Sequence, residues 1–445
     1  MRNTPLYSSL RAFADTQPLR MHMPGHHGKP LHMPELERFS ELDFTELPPT
    51  GNLFSPGGAI EAAEDLWARA FGMSACLFLT GGSTQGIHAA LTLACRPGDR
   101  LLMDRGCHRS VYHAMALLDL KPIYLSRPWR REDGVSGPIS PQSVEKLLKS
   151  HPKCKTVCIT SPTYYGVLSD IPAISHIVHQ YGGILVVDGA HGAHLPFLGL
   201  DAFRGADLTV VSAHKTLPVP GQTALLFSGG LFHGDDLRRA GAIYGSSSPS
   251  YPMMAAMDVA RAWLEEKGAD DYRTTAAFVS DLRRTFSALR ETPELRLDPA
   301  RFVLNTPDGY VRKAALETLG VYPEMADCGH IVCILTCADR RAEFARLIEA
   351  LNRTAPPAGT AARQIPPPPE LPERVLSPRQ AMFAPVDVLS LQKAEGQISV
   401  DQVAPYPPGV PIIAPGERIG KKHLSYLSEI GYNMTEKVRT LSHRV

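Results

Sequence analysis

A Gly-Gly pair at positions 81–82 is followed at once by Ser83 and Thr84, and this grouping could bind a phosphate. The pair comes after a short apolar run, and the spacing of apolar residues beyond it predicts a helix over 84–95. Backbone amides at a helix N-terminus bind phosphate, and the two hydroxyl groups would add donors. Because Ser and Thr are also favoured as simple helix caps, the motif alone leaves both roles open.

A carboxylate, Asp188, ends a strongly apolar run over 184–188, of the kind that forms a buried strand. A carboxylate in that position needs a cation or a hydrogen-bond donor as its partner. His191 and His194 follow, and one Asp with two His could ligate a metal ion. No additional ligand stands at a suitable spacing, so we expect no metal site, and loop caps are the simpler interpretation.

Lys215 stands in a Pro/Gly-rich loop between apolar runs at 208–212 and 223–227, with Ser212 and His214 beside it. Most lysines are solvated surface residues, but a lysine enclosed by two apolar strands is partly desolvated. Desolvation lowers the pKa of the amine and makes it a nucleophile.

His108 opens a predicted helix and, taken alone, is interpreted more simply as a cap or a core histidine. With the phosphate motif, Asp188 and a lysine 27 residues later, it completes the parts of a pyridoxal 5'-phosphate (PLP) site. In such a site the lysine holds the aldehyde as a Schiff base, and the acid keeps the pyridine nitrogen protonated. The helix N-terminus anchors the phosphate, and the imidazole stacks on the ring.

The elements that would position these residues alternate between strand and helix. Apolar runs predict strands at 75–79, 100–103, 122–125, 156–160, 184–188, 208–212 and 223–227. Periodic segments predict helices at 60–72, 84–95, 109–118, 141–150 and 171–181. This alternation indicates a mostly parallel sheet covered on both faces, with ligands bound at the carboxyl ends of its strands. Helical segments at 255–291 and 310–352, with strands at 301–304 and 330–335, predict a second, smaller α/β layer.

Composition excludes several other classes of protein. The 445 residues include 46 Lys and Arg against 45 Asp and Glu, so the net charge of +1 offers no basic field for nucleic acid or an anionic membrane. No apolar run reaches the roughly 18 residues of a transmembrane helix, and the first 20 residues lack the apolar core of a secretory signal. The eight cysteines never form a C-x-x-C pair, so we expect a cytoplasmic chain with free thiols.

Short motifs spread over nearly the whole chain carry a family resemblance. They are MPGHHGKP (23–30), DFTELP (43–48), TGGSTQG (80–86), DRGCHRS (104–110), SPTYYG (161–166), DGAHGAH (188–194), SAHKT (212–216), SSSPSY (246–251), YPEMAD (322–327), SPRQAMFAP (377–385) and PYPPGVPIIAPGE (405–417). With these motifs the chain resembles the Orn/Lys/Arg decarboxylase family of fold type I PLP-dependent enzymes. It is similar to the short form of the family, which lacks the N-terminal wing domain of the larger bacterial enzymes.

The resemblance implies an α/β fold of the aspartate-aminotransferase-like type, with a mostly parallel central sheet and a small C-terminal α/β domain. It implies a carboxy-lyase that uses PLP to decarboxylate arginine, lysine or ornithine to the corresponding amine, a precursor in polyamine metabolism, and CO2. It also implies a homodimer with a shared active site. Which of the three amino acids is preferred stays open.

Carried over residue by residue, the resemblance also implies site roles. The catalytic residues would be Lys215 as the Schiff-base lysine, Asp188 as the partner of the pyridine nitrogen, and His108 stacked on the ring. The other cofactor contacts would come from Ser83 and Thr84 on the phosphate, Ser212 and His214 near the phosphate, and His191 or Thr163 facing the 3-hydroxyl. Ser247 or Ser248 would reach the phosphate bound by the partner subunit.

One domain boundary follows from composition, because residues 354–372 are Pro-rich and include four consecutive prolines. Such a stretch predicts an extended linker. We therefore divide the chain into an N-terminal arm (1–50), a large PLP-binding domain (51–290), a small α/β domain (291–353), the linker (354–372) and a C-terminal decarboxylase-type domain (373–445).

Fold type I aminotransferases, aldolases and other lyases remain the alternative, because they share the cofactor residues. Aminotransferases generally bind the α-carboxylate with an arginine late in the chain. The tail has no recognisable arginine motif of that kind, which leaves Arg379 and Arg418 as the two arginines to examine. Glu324 and Asp327 are candidates for binding a distal amine, with a solvated loop as the simpler interpretation.

The chain departs from the family motifs at three positions, none of which removes a group that the chemistry needs. His27 replaces the usual lysine of the N-terminal motif, Gly189 stands where a bulkier residue is expected, and Arg109 replaces a common lysine. A cluster of histidines near the N-terminus could suggest a metal, but in Gly/Pro-rich sequence we interpret it as a turn that closes over the active site of a dimer: His22, His26, His27 and His32.

Overall fold

The computed structural model describes residues 3–16, 40–405 and 410–442. These residues form two compact units. The first comprises Met1–Ala94 and Val186–Arg273, and the second comprises Cys95–Leu185 and Thr274–Val445.

The elements are numbered in chain order. The helices are α1 (Pro5–Asp15), α2 (Gly58–Ala70), α3 (Gly82–Ala94), α4 (Arg109–Leu118), α5 (Pro141–Ser150), α6 (Ile171–Gln180), α7 (Ala213–Thr216), α8 (Gly234–Tyr244), α9 (Tyr251–Trp263), α10 (Ala269–Thr285), α11 (Gly309–Thr318), α12 (Arg341–Arg353), α13 (Pro378–Met382) and α14 (Lys421–Glu429). The strands are β1 (Ala75–Leu79), β2 (Arg100–Asp104), β3 (Lys121–Leu125), β4 (Trp129–Arg130), β5 (Val135–Ser136), β6 (Thr156–Thr160), β7 (Val167–Leu168), β8 (Ile184–Asp188), β9 (Leu208–Val211), β10 (Ala224–Ser228), β11 (Arg296–Leu297), β12 (Arg301–Asn305), β13 (Met325–Ala326), β14 (His330–Ile334), β15 (Val386–Ser390) and β16 (Lys437–Leu441).

In the first unit the strand order is β1-β10-β9-β8. Strands β8 and β9 are parallel, whereas β10 is antiparallel to both of its neighbours. The reversal follows from the connection between β9 and β10, which holds only the one-turn helix α7 in a Pro/Gly loop rather than a crossover helix. Strands β1, β8 and β9 therefore end at the same edge, where β10 begins.

Helix α3 packs very closely on this sheet because Gly86 has no side chain. A Cβ at Gly86 would lie 2.6 Å from Cδ1 of Leu79 and 2.7 Å from Cγ1 of Val210. The close approach holds the first turn of α3 beside the end of β1. Helix α2 ends at Ala70, two residues before the predicted end, and Gly72 just beyond it adopts the left-handed conformation at φ +63°.

The second unit has its own parallel strands in the order β6-β2-β3, with helices α4 and α5 between them in sequence and α6 after β6. A separate antiparallel sheet, β12-β14-β13, shares an apolar core with α10, α11 and α12. This sheet is the smaller α/β layer. Strands β12 and β14 lie where the sequence predicts strands, at 301–304 and 330–335, whereas β13 is not predicted. The C-terminal part adds the antiparallel pair of strands β15 and β16, together with α14, around a further apolar cluster.

The fold class is confirmed as α/β with a mixed, mostly parallel central sheet. The strands over 75–79, 156–160 and 184–188 and the helices over 109–118 and 141–150 have the bounds that the sequence predicts. All eight cysteines lie in the described part of the chain, where they are buried and unbridged. In the described ranges no helix is both long enough and apolar enough to cross a membrane.

Candidate active site

The site is built at the edge of the first unit's sheet where β1, β8 and β9 end. The register pairs Leu79 at the end of β1 with Ala224 at the start of β10, and Asp188 at the end of β8 with Val210 of β9. Side chains that follow these strands are therefore neighbours. This edge gathers three of the four polar clusters that the sequence singles out.

Lys215 lies in α7, directly after β9, and its side chain is half-buried. Its backbone N–H donates to the Ser212 oxygen at 3.2 Å. His214 closes the loop, because its backbone N and its ring Nδ1 lie 3.3 and 2.8 Å from the Thr223 oxygen. The lysine is thus held in a short loop tied at both ends, and it is partly enclosed, as the two flanking apolar strands predict.

The amine of Lys215 contacts an imidazole. Nζ of Lys215 lies 3.1 Å from Nε2 of His191, which is almost fully buried in the turn after β8. A charged amine only donates, so Nε2 of His191 accepts and its ring carries the proton on Nδ1 in that state. The sequence singled out both residues but did not predict this contact.

Asp188 is a buried carboxylate, 3% exposed, at the end of β8. Its Oδ1 accepts a hydrogen bond from the backbone N–H of Ala190 at 3.2 Å. The backbone N–H of Gly189, between these two residues, donates to the backbone oxygen of Val210 on β9 at 2.8 Å. A side chain at Gly189 would come within 2.6 Å of the Phe203 ring, which explains why a bulkier residue is absent from this chain.

The phosphate motif opens α3 at the end of β1. Gly82 begins the helix with φ +73°, a conformation that glycine adopts without strain. Ser83 and Thr84 occupy the first turn, with Thr84 exposed. The hydroxyl of Ser212, before the lysine helix, donates to the hydroxyl of Ser83 at 2.8 Å. The structure therefore brings the phosphate motif and the lysine loop into direct contact.

Two further residues support the site: Tyr272, which lies outside every motif, and Gln85, which lies within TGGSTQG. The phenol of Tyr272 donates to the backbone oxygen of Thr216, the residue after Lys215, and its ring lies 5.3 Å from that of His194. Both rings are buried. Gln85 accepts from the Gly81 N–H at 2.9 Å and so holds the turn before α3. In the sequence Tyr272 is one aromatic residue in a helix of mostly polar residues, so no local signal distinguishes it.

The predicted site residues His108 and Thr163 belong to the second unit. His108 is the exposed N-cap of α4, and its Nδ1 lies 2.9 Å from the Ser110 hydroxyl and accepts from the Ser110 N–H at 3.3 Å. Thr163 follows β6, and its hydroxyl accepts from the Val167 N–H at 3.1 Å. Each is therefore held by its own turn.

The two acids considered for a distal amine bind tyrosines of the SPTYYG motif. Glu324 accepts from the Tyr164 phenol at 2.6 Å, and Asp327 accepts from the phenol of Tyr165. Asp327 also lies 3.0 Å from Nδ1 of buried His330. Burial raises the pKa of the Asp327 carboxyl, but His330 and Tyr165 more than offset it, so the pKa is lowered. Burial lowers the pKa of His330, and the bond to Asp327 reverses that shift, so this pKa is raised.

The two late arginines already have partners within the second unit. Arg379 donates to the backbone oxygen of Ala116 at 2.9 Å. Arg418 pairs with Glu373 at 2.9 Å and donates to the Gly396 oxygen at 3.0 Å. Both therefore act as structural contacts between segments of that unit.

The remaining candidates are simple to place. Ser247 and Ser248 are exposed in the single chain, after α8. The N-terminal histidine cluster and the MPGHHGKP motif lie outside the described residues. Across residues 3–16, 40–405 and 410–442, no three or more His, Cys, Asp or Glu side chains are arranged to hold a metal ion.

The donor set at the sheet edge fits PLP. The first turn of α3 offers backbone amides and hydroxyls to a phosphate, and the Ser212 hydroxyl is already in contact with that of Ser83. A half-buried amine and a buried carboxylate follow neighbouring parallel strands. In a PLP site the helix N-terminus binds the phosphate, the amine binds the aldehyde, and the acid binds the ring nitrogen.

Two family models match the chain. The model described as Orn/Lys/Arg decarboxylase, major domain, matches residues 4–299, and the model described as Orn/Lys/Arg decarboxylase, C-terminal domain, matches residues 364–436.

Similar proteins of comparable length come from Bacillus subtilis. The uncharacterized protein YaaO is 32% identical, with 96% of this chain and 94% of that protein covered. An arginine decarboxylase of the same organism is 30% identical, with 95% and 93% covered. Among solved structures, the Francisella novicida lysine decarboxylase LdcF has a TM-score of 0.81 at 19% identity and covers 99% of this chain and 81% of that one. This last likeness shows the fold.

Proposed function

The chain belongs to the Orn/Lys/Arg decarboxylase family, and from that premise we propose that it removes the α-carboxyl group of a basic amino acid, with arginine as the first candidate. Membership makes it a PLP-dependent amino acid decarboxylase of fold type I. Arginine is favoured because the B. subtilis arginine decarboxylase matches almost end to end. The observation that carries the proposal is the grouping of Lys215, His191, Asp188 and Ser83 at one sheet edge.

In this proposal the cofactor is held by the groups at that edge. The α3 amides with Ser83 and Thr84 would bind the phosphate, and Ser212 would orient the Ser83 hydroxyl. His214, tied to Thr223, would lie near the phosphate. From the family resemblance, His108 would stack on the ring, and His191 or Thr163 would face the 3-hydroxyl.

Two residues would set the chemistry of the cofactor. Lys215 would carry it through its amine, and the buried Asp188 side chain would keep the pyridine nitrogen protonated by pairing with it. When bound, PLP supplies an electron sink for the bond that breaks at the substrate Cα. His191 accepts from Nζ of Lys215 and so orients the amine both for attachment and for later proton transfer.

The overall reaction consumes one proton for each CO2 released. The bond between Cα and the carboxylate breaks, CO2 leaves, and a proton takes its place on Cα to give the amine. Lys215 or His108 would deliver that proton, because each carries a titratable nitrogen. The same balance distinguishes decarboxylation from transamination, which releases no CO2.

The late arginines support a decarboxylase over an aminotransferase. Arg379 and Arg418 both bind backbone oxygens of their own unit, and Arg418 is also paired with Glu373. An arginine engaged in this way is not available as a clamp for a substrate α-carboxylate. An aminotransferase or another lyase of the same fold is the alternative outcome of the test below.

The test is an incubation of the PLP-loaded protein with arginine, lysine and ornithine separately, with the amine and CO2 both quantified. We expect at least one of the three amino acids to give equimolar amine and CO2, with arginine reacting fastest. A parallel incubation with a 2-oxo acid tests for amino transfer. A new amino acid without CO2, or no product from any basic amino acid, would contradict the proposal.

A further inference from the structure

The residues from the end of β2 to His108 are held by two buried ion pairs. This segment supplies the acid of one pair, Asp104, and the base of the other, Arg105. Oδ2 of Asp104 accepts from Nη2 and Nε of Arg127 at 2.6 and 3.0 Å. The next residue, Arg105, binds Glu417 with Nη1 to Oε1 at 2.6 Å and Nη2 to Oε2 at 2.8 Å. No side chain of either pair is more than 6% exposed.

Glu417 lies 312 residues after Arg105, in the C-terminal part of the chain. Arg105 also donates to the backbone oxygens of Pro411 and Ile412, at 3.2 and 3.3 Å. Oε2 of Glu417 accepts from the Ala414 N–H at 2.7 Å. The guanidinium is therefore enclosed by the segment 411–417. Two parallel N–H···O bonds fix its orientation as well as its position.

The backbone of the same loop depends on these side chains. The Gly106 N–H donates to the side-chain Oδ1 of Asp104 at 2.9 Å, and the Cys107 N–H donates to the backbone oxygen of Asp104 at 3.0 Å. The phenol of Tyr112, one turn into α4, donates to the Arg105 oxygen at 3.1 Å. The loop and the first turns of α4 thus share anchors, and His108 stands between them as the helix cap.

We propose that Glu417 is a positioning residue for the active site: through Arg105 it fixes the loop that presents His108. The inference rests on the proposed function, since the role of His108 on the cofactor is part of that function. In this proposal the C-terminal segment contributes to the reaction by positioning His108. The APGE segment (414–417) then holds the DRGCHRS segment (104–110) in place through the Arg105–Glu417 ion pair.

A purely structural role would call for a different pair. Burying two charges costs much of what their attraction returns, and apolar pairs of similar size are often as stable or more so. A bidentate ion pair gives a fixed orientation, which is what a residue presented to a cofactor needs. The test therefore separates orientation from stability.

The main variant replaces the pair by apolar residues, Arg105→Met with Glu417→Leu. Besides kcat, three quantities are measured: the unfolding midpoint in urea, the affinity for PLP by equilibrium dialysis, and amide hydrogen exchange over 104–110. We expect the double variant to recover a higher midpoint than either single variant. We also expect PLP affinity and kcat each to fall about tenfold or more, with faster exchange at Gly106 and Cys107.

A mutant cycle with His108→Ala shows whether the effect passes through that residue. If Glu417 acts through His108, the apolar pair has little further effect once His108 is replaced: kcat falls by less than about threefold relative to His108→Ala alone. A full additional tenfold loss would mean that the ion pair acts elsewhere and would overturn the inference. Glu373→Gln, which breaks the exposed ion pair of Arg418 next to Glu417, is the matched control and should change none of the three quantities.

The outcomes separate this inference from the proposed function. Wild-type protein that binds no PLP and makes no amine refutes the function, while hydrogen exchange still tests the loop. Active wild type with an apolar-pair variant that keeps kcat, PLP affinity and amide protection refutes the inference alone. Should the apolar pair not fold, Glu417→Gln carries the test, because it keeps the shape and removes the charge: retained PLP affinity and amide protection in this folded variant would overturn the inference, and loss of both would support it.

Discussion

Nζ of Lys215 and Nε2 of His191 lie 3.1 Å apart, although the two residues follow different strands. The contact arises because β8 and β9 are parallel neighbours, so the turn after one strand lies beside the short helix after the other. His191 supplies an acceptor to an amine that is half-buried and therefore poorly solvated.

Lys215→Ala should abolish covalent attachment of PLP while leaving the fold in place, since the side chain is not part of the apolar core. The measurement is borohydride reduction followed by peptide mapping, together with the unfolding midpoint. Lys121→Ala, at an exposed lysine of the second unit, should label as wild type does. A reduced adduct at wild-type yield in Lys215→Ala would show that another lysine is the anchor.

Asp188→Asn should keep the fold and most of the PLP affinity, because the amide has the shape of the carboxylate and can still accept from the Ala190 N–H. The rate should fall by several powers of ten, because an uncharged side chain no longer keeps the ring nitrogen protonated. Stopped assays of amine formation measure this. A variant within about tenfold of wild type, a difference of only about 1.4 kcal/mol, would exclude the role.

Tyr272→Phe should loosen the lysine helix. The substitution keeps the ring against His194 but removes the donor to the buried Thr216 oxygen. We expect the free energy of unfolding to fall by about 1–3 kcal/mol, the usual cost of a buried acceptor left unmet. Urea unfolding measures it, with Tyr322→Phe at a 76% exposed tyrosine as the control. Equal midpoints for the two variants would argue against this role.

The buried Asp327–His330 pair should make stability depend on pH in a defined direction. Because the pKa of His330 is raised in the folded state, its contribution is complete below about pH 6.5, the ordinary histidine value, and is lost as the pH rises through the folded value. Because the pKa of Asp327 is lowered, its contribution is present above about pH 4 and is lost in acid. The pair therefore stabilises the fold most between these two values.

His330→Gln tests this window through the free energy of unfolding measured from pH 4 to pH 9. We expect a loss of about 1.5–3 kcal/mol near pH 5–6, typical of a hydrogen bond to a charged group, and a smaller loss above pH 8. Asp327→Asn should flatten the profile above pH 6 in the same way, because it removes the partner that raises the histidine pKa. A loss that grows with rising pH would contradict the assignment.

Subunit complementation tests the proposed dimer with a shared site. Ser247 and Ser248 are exposed in the single chain, and the family resemblance has one of them reach the phosphate in the partner subunit. Lys215→Ala and the double variant Ser247→Ala/Ser248→Ala should each be impaired alone. Mixed in equal amounts with verified exchange, they should regain about a quarter of wild-type activity, because half the dimers carry one undamaged site of two. No recovery, or a fully active monomer, would contradict the shared site.

Much of the fold and of the site can be predicted from the sequence because the signals are local. Short apolar runs bounded by Gly and Pro define β1, β6 and β8, and the polar residues at their ends stand out against the apolar strands. The motif of Ser83 and Thr84 needs only a strand before it and a helix after it. The family membership implied by those motifs is confirmed over both matched segments.

Only the tertiary structure decided which of these groups meet. The reversal of β10, the contact of His191 with Lys215, and the bond from Tyr272 to Thr216 all join segments distant in sequence. Local sequence patterns indicate the type of an element and the residues at its ends, but they do not indicate which distant segments pack against it. The same reason applies to Glu417: a buried acid 312 residues from Arg105 becomes its partner only once the two segments pack together.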